Sequence, residues 1–131
     1  RMTTRHQQLK HLADTFTATF NAHDLDATMA FFTDDAVYEE MHGPIREGKA
    51  AIRKAFEALF SKRFGTMRFE EEDTFVDADA GKVMTSWTLH LSSLDGKPMQ
   101  LRGLDLLWFD GDRLVRKLTY CKAKEPRYVE G

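Results

Sequence analysis

The chain is predicted to fold as an α+β protein in which helices pack on one face of a strongly bent antiparallel sheet. Three observations carry this expectation. Apolar residues recur at helical spacing in the first half of the chain, they switch to strand alternation from Thr66 onward, and the later segments are separated by the turn sequences DADAGK, LDGK and DGDR. Helices first and a meander of long strands afterward gather the helices on one side of a sheet.

Leu9, Leu12, Ala13, Phe16 and Phe20 form the apolar stripe of a long first helix, expected to end near Asn21. Asp24 then serves as the N-cap of a short second helix carrying Met29 and Phe32. After Asp34 and Asp35, the stretch AVYEEMH at 36–42 reads as a short strand closed by a Gly43-Pro44 turn. A third helix starts near Gly48 and presents Ile52, Phe56, Leu59, Phe60 and Phe64 on one face. The strands that follow are joined, at LDGK and DGDR, by tight hairpin turns.

With 131 residues and no linker, repeat or low-complexity segment, the chain is expected to be a single domain able to bury about two-thirds of its unfolded surface. Its 42% hydrophobic and 31% charged residues are ordinary for a soluble protein, and no apolar run approaches the roughly 20 residues of a membrane helix. A formal net charge of −2 supplies no basic field for nucleic acid. The opening stretch RMTTRHQQLKHL lacks a leader pattern, so a cytoplasmic location is expected, and the single Cys121 agrees with a reducing compartment. His6 and His11 stand five apart on a helix and cannot share a metal, and the glycines form neither a phosphate loop nor a dinucleotide fingerprint. No metal and no cofactor are implied.

The stretch GLDLLWFDGDR holds Asp105 among Leu104, Leu106, Leu107, Trp108 and Phe109, where an unpartnered carboxylate would be costly to bury. Strand alternation points Leu101, Gly103, Asp105, Leu107 and Phe109 one way and Leu104, Leu106 and Trp108 the other. Both faces are therefore apolar. Helices cover only one of them, so a homodimer formed through the second face is expected.

The segment NAHDLDATMAFFTDDAVYEEMHGPIREGKAAI resembles the opening half of nuclear transport factor 2-like proteins, the superfamily of ketosteroid isomerase and the SnoaL-like polyketide cyclases. The resemblance lies in Asn21-Ala22, the Asp24-Leu25-Asp26 restart, Phe31-Phe32 followed by Asp34-Asp35-Ala36-Val37, and the helix start Gly48-x-x-Ala51-Ile52. LDLLWFDGDRLV resembles a later strand and hairpin of the same superfamily. A cone-shaped roll follows from it, with three N-terminal helices on the bent sheet and a deep apolar pocket for a small apolar ligand or substrate.

By the same resemblance, the ketosteroid isomerase base falls on Glu40, and the neutral aspartate that donates a hydrogen bond to an oxyanion falls on Asp105. The oxyanion-donating tyrosine of the first helix falls on Phe16, which has no hydroxyl; losing one such donor typically costs roughly 100- to 1,000-fold in rate. Tyr38 shares strand parity with Glu40 and offers a hydroxyl from another wall. The candidate substrate-binding residues are Phe16, Phe20, Phe32, Tyr38, Phe56, Phe60, Trp87 and Leu107, most of them also ordinary core by their spacing.

Alternation on 36–42 turns Tyr38, Glu40 and His42 to one face and Val37, Glu39 and Met41 to the other; a bulge would bring Glu39 inward instead. Two carboxylates in one apolar pocket repel, which splits them into an acid and a base. The competing structural reading pairs Asp105 with backbone amides or a base such as Arg116. His42, beside a turn, reads as solvated, His90 as a structural hydrogen-bonder, and Glu70 to Asp73 as a charged edge strand. The arginine and aspartate pair of the epoxide hydrolase branch is absent from Thr85 to Leu89, and LVRKLTYCKA lacks the late carboxylate of the SnoaL cyclases.

Two functions follow from these residues. One is an enzyme of cofactor-free acid-base chemistry, an isomerisation, dehydration or cyclisation of an apolar carbonyl compound, with Glu40 as base and Asp105 as acid. The alternative is a non-catalytic ligand-binding or dimerisation module of the same fold.

Overall fold

A computed structural model describes residues 3–122. Helix α1, Arg5–Asn21, begins with a capping box in which the Thr4 hydroxyl accepts from the Gln7 amide while the Gln7 side chain accepts from the Thr4 amide. Leu9, Ala13, Phe16 and Phe20 form its buried face. Helix α2, Leu25–Met29, is capped by the Asp24 carboxylate on the Ala27 amide.

The second helix stops before Phe32. That residue instead opens strand β1, Phe32–Glu39, because the chain here begins to pair with a later strand, and the Phe31 carbonyl accepts from the Leu114 amide. The strand therefore starts and ends earlier than alternation suggests. Glu40, Met41 and His42 fall in the turn that follows, which the Gly43 amide closes on the Glu40 carbonyl with Gly43 at φ 104°.

Strand β2, Ile45–Glu47, is a three-residue piece that sequence patterning misses, and it leads through Gly48 into helix α3, Lys49–Phe60. Ile52 and Phe56 are its buried residues; Phe64 lies beyond its end. Four long strands follow: β3 Arg68–Asp77, β4 Lys82–Ser92, β5 Pro98–Asp110 and β6 Arg113–Cys121.

These strands form one curved, open sheet in the order β2-β1-β6-β5-β4-β3, with the helices against it. All neighbours are antiparallel except β1 and β6, which run parallel. Inner-face residues Val83, Trp87, Leu107 and Leu114 join Leu9, Phe16, Phe32 and Ile52 in one core. The charged stretch Glu70 to Asp73 does lie on an edge strand, β3.

A bulge between β5 and β6 decides what faces the core. Trp108 pairs with Arg116 but Phe109 pairs with Leu114, so Val115 is the extra residue and the inward parity of β6 changes there. Leu114, Lys117 and Thr119 are all buried as a result.

Candidate active site

Between the sheet, α1 and α3 lies a cavity of about 390 Å³. Of the candidate substrate-binding residues, Phe16, Phe20, Tyr38, Phe56 and Trp87 line it. Phe32 and Leu107 are fully buried in the core and Phe60 packs on Phe20 and Phe56, so none of these three is among the lining residues. Phe64, Phe69, Leu89 and Leu101 also line the cavity, beyond the candidate substrate-binding residues.

The walls are mostly apolar; Tyr38, Asp105, Lys117 and Thr119 gather on the sheet side, while Thr17 of α1 and His42 of the turn also reach the lining. Asp105 Oδ2 accepts from the Trp87 indole Nε1 at 3.0 Å. Its Oδ1 accepts from Lys117 Nζ at 2.9 Å and from the Thr119 hydroxyl at 2.6 Å, and Lys117 also donates to Thr119 at 2.6 Å. The carboxylate in the apolar strand is thus one half of a buried ion pair. The neutral, hydrogen-bond-donating acid expected at Asp105 does not fit a carboxylate that accepts three hydrogen bonds, one of them from an ammonium; Lys117 is the group with protons to give.

Lys117 was missed by sequence reading. Its ammonium sits over the Tyr38 ring at 4.5 Å and 5.7 Å from the Phe56 ring, so aromatic faces complete the shell of the cation. Burial alone pulls its proton affinity down, but the charge of Asp105, reinforced by Tyr38, the hydrogen bond to Asp105 and the charge of Glu40, carries it above the usual 10.5. Burial likewise holds the Tyr38 hydroxyl above its usual 10.0, against the opposing pull of Lys117.

Both shifts have the same sign in stability. The folded state holds these protons more tightly than the unfolded chain, so their contribution is complete below pH 10.0 and is lost as pH rises through the folded values. Urea midpoints are therefore expected to fall above about pH 10, and to fall less in Lys117→Met. An alkaline limb of equal steepness in that variant would contradict the assignment to Lys117.

Glu40 stands apart from the cavity lining. It is held by Arg46, with Nε to Oε2 at 2.5 Å, and reaches the cluster only through its charge, which adds to the proton affinity of Lys117 and Tyr38. Glu39 faces away from the core, 4.0 Å from Arg116. His42 lines the mouth, and His90 pairs with Glu70 at 2.8 Å. Among the described residues no cluster of histidine, cysteine or carboxylates could hold a metal, and no helix is long and apolar enough to cross a membrane.

An open α+β cone of helices on a curved six-stranded sheet, with a cavity between them, is the NTF2-like fold. The chain belongs to the SnoaL-like domain family, whose model matches residues 13–117. Among solved structures it is similar to an NTF2-like protein of unknown function from Mesorhizobium loti, with 23% identity, coverage of 94% of this chain and 98% of that one, and a TM-score of 0.75. It is also similar to the epoxide hydrolase/cyclase-like enzyme SalBIII of salinomycin pyran ring formation, at 17% identity, 88% and 92% coverage and a TM-score of 0.79. TerC, crystallised with polyporic acid, gives 19% identity, 88% and 92% coverage and a TM-score of 0.73. At these identities the likeness establishes the fold, and no match is found among curated proteins.

Proposed function

We propose that this chain is a small-molecule enzyme that moves protons without a cofactor, isomerising, dehydrating or cyclising an apolar carbonyl compound bound in the cavity. The observation that carries the reading is the Asp105 and Lys117 pair, held by Thr119 and Trp87 on the wall of an otherwise largely apolar chamber. Buried pairs of this kind add little net stability over apolar packing, and charges gathered in a ligand-sized cavity mark functional sites. The small molecules named with SalBIII and TerC support the same class of ligand.

In this proposal the substrate carbonyl accepts a hydrogen bond from Lys117. Asp105 Oδ2, which carries one hydrogen bond among the described residues, takes a proton from the adjacent carbon. The electrons of that carbon-hydrogen bond move onto the carbonyl oxygen, where the ammonium stabilises the enolate, and the protonated Asp105 returns the proton to a different carbon. Glu40 acts at a distance, through its charge on Lys117.

The test is deuterium exchange at the α-carbon of apolar ketones in D2O, followed by proton NMR. Wild-type protein is expected to accelerate exchange, and Asp105→Asn is expected to lose at least about 100-fold of that acceleration. Equal rates for the two proteins would reject catalysis at Asp105. The second reading, a non-catalytic ligand-binding module, is favoured by Phe16, whose ring carries no hydroxyl; it predicts binding of the same ketones with no exchange.

We further propose that two copies pair through the outer sheet face. Phe75 is 72% exposed there, beside Met84 and Leu106, and an open groove of about 540 Å³ runs along these residues. Light scattering is expected to give twice the chain mass, and Leu106→Glu is expected to halve it. A wild-type monomer at micromolar concentration would refute the pairing.

A further inference from the structure

Gly103 of β5 stands directly opposite Trp87 of β4. A methyl group on its α-carbon would lie 2.5 Å from Cη2 and 3.0 Å from Cζ2 of that indole, and 2.5 Å from the backbone oxygen of Tyr120 in β6. Carbon contacts this close are strongly repulsive, and neither a tryptophan ring nor a sheet carbonyl can bend aside as the tip of a flexible side chain can. The indole occupies the volume that any other residue at position 103 would fill.

Trp87 is pressed from another side by Phe69, edge to face, with ring centres 5.0 Å apart and an interplanar angle of 89°. Its Nε1 is thereby aimed at Asp105 Oδ2, two residues along β5 on the same inner face. With Oδ2 taken by Trp87, Oδ1 is the oxygen that receives Lys117 and Thr119. Gly103 itself is not among the residues that line the cavity.

We infer that Gly103 is a positioning residue: the absence of a side chain lets the Trp87 indole lie against β5, and this contact sets the orientation in which the Asp105 carboxylate presents its other oxygen to Lys117. The inference concerns the geometry of the network and holds whether the cavity catalyses or only binds. It therefore stands or falls separately from the reaction proposed above.

The test is NMR of the whole chain carrying Gly103→Ala. The sequence has two tryptophans, and Trp108, whose ring lies 4.5 Å from Lys82 and 4.8 Å from Arg116, is the internal control. The Trp87 indole proton is expected to move upfield and to exchange with solvent on the order of tenfold faster, the scale of a lost hydrogen bond to a charged group, while Trp108 is unmoved. An unshifted Trp87 indole with unchanged exchange would overturn the inference.

A second background separates the ring from the β6 carbonyl. Trp87→Phe removes both Cη2 and Cζ2, so the Asp105 carboxyl carbon shift is read in wild type, Gly103→Ala, Trp87→Phe and the double variant. If Gly103 acts through Trp87, Gly103→Ala moves the Asp105 shift less in the Trp87→Phe background than in wild type, the remainder being the contact with the Tyr120 carbonyl. If Gly103→Ala adds its full effect in that background, it acts through the β6 backbone and the inference fails. Should Gly103→Ala alone not fold, a folded double variant supports the inference, and an unfolded one overturns it.

Discussion

Lys117→Met is expected to destabilise the fold by about 3–5 kcal/mol, read as a urea midpoint at neutral pH. The loss comes less from the missing attraction than from what remains. Asp105 is 8% exposed, and without the ammonium it is a buried carboxylate whose remaining donors, the Trp87 N–H and the Thr119 hydroxyl, are both neutral. The double change Asp105→Leu with Lys117→Met removes both charges and is expected to recover most of the loss, because a buried pair and well-packed apolar groups of similar volume are close in free energy. A single-variant loss below about 1 kcal/mol would mean that water screens the pair as it does at a surface.

Phe32→Ala is expected to cost a similar amount, about 3–5 kcal/mol in the same assay. Its ring is 0% exposed and packs edge-on against Phe16 at 5.7 Å and tilted against Phe56 at 6.1 Å. It joins the first strand to both long helices. A loss under about 1.5 kcal/mol would show that the aromatic cluster closes over the vacancy.

The first and third helices were legible because their apolar stripes are long, and the second because its cap, Asp24, is explicit. Phe32 was misplaced because it falls three residues after Met29, which continues a helical stripe. Its strand is recognisable only from β6, which the local sequence does not contain. β2 is three exposed residues with no alternation to read. Glu40 kept the parity of an inward residue, but the strand ends at Glu39 and the next residue belongs to a turn and to Arg46.

The candidate site was legible by half. Asp105 stood out because a charge interrupts an apolar strand, whereas Lys117 did not, since it follows Arg116 in the mixed basic and apolar run RLVRKL at 113–118. The hairpin at Gly111-Asp112, had it extended without interruption from Asp110 opposite Arg113, would set Leu107 against Arg116. The extra residue Val115 advances β6 by one, sets Leu107 against Lys117, and swings that side chain toward Asp105. One inserted residue thus exchanges an arginine for a lysine at the centre of the cavity wall.

The parallel pairing of β1 with β6 has a consequence for the order in which the molecule can assemble. During synthesis the helices and β1 emerge first, with Phe16, Phe32 and Phe56 in search of a sheet, while the strand that completes their cover is the last of the six to be made. Local hairpins such as β4 with β5 can form as they appear, but the β1 and β6 ladder closes a loop spanning most of the described chain. A nascent chain stalled before Leu114 therefore carries an open aromatic surface and neither Lys117 nor Thr119, so the cavity and its charge pair come into being together, in the final step of folding.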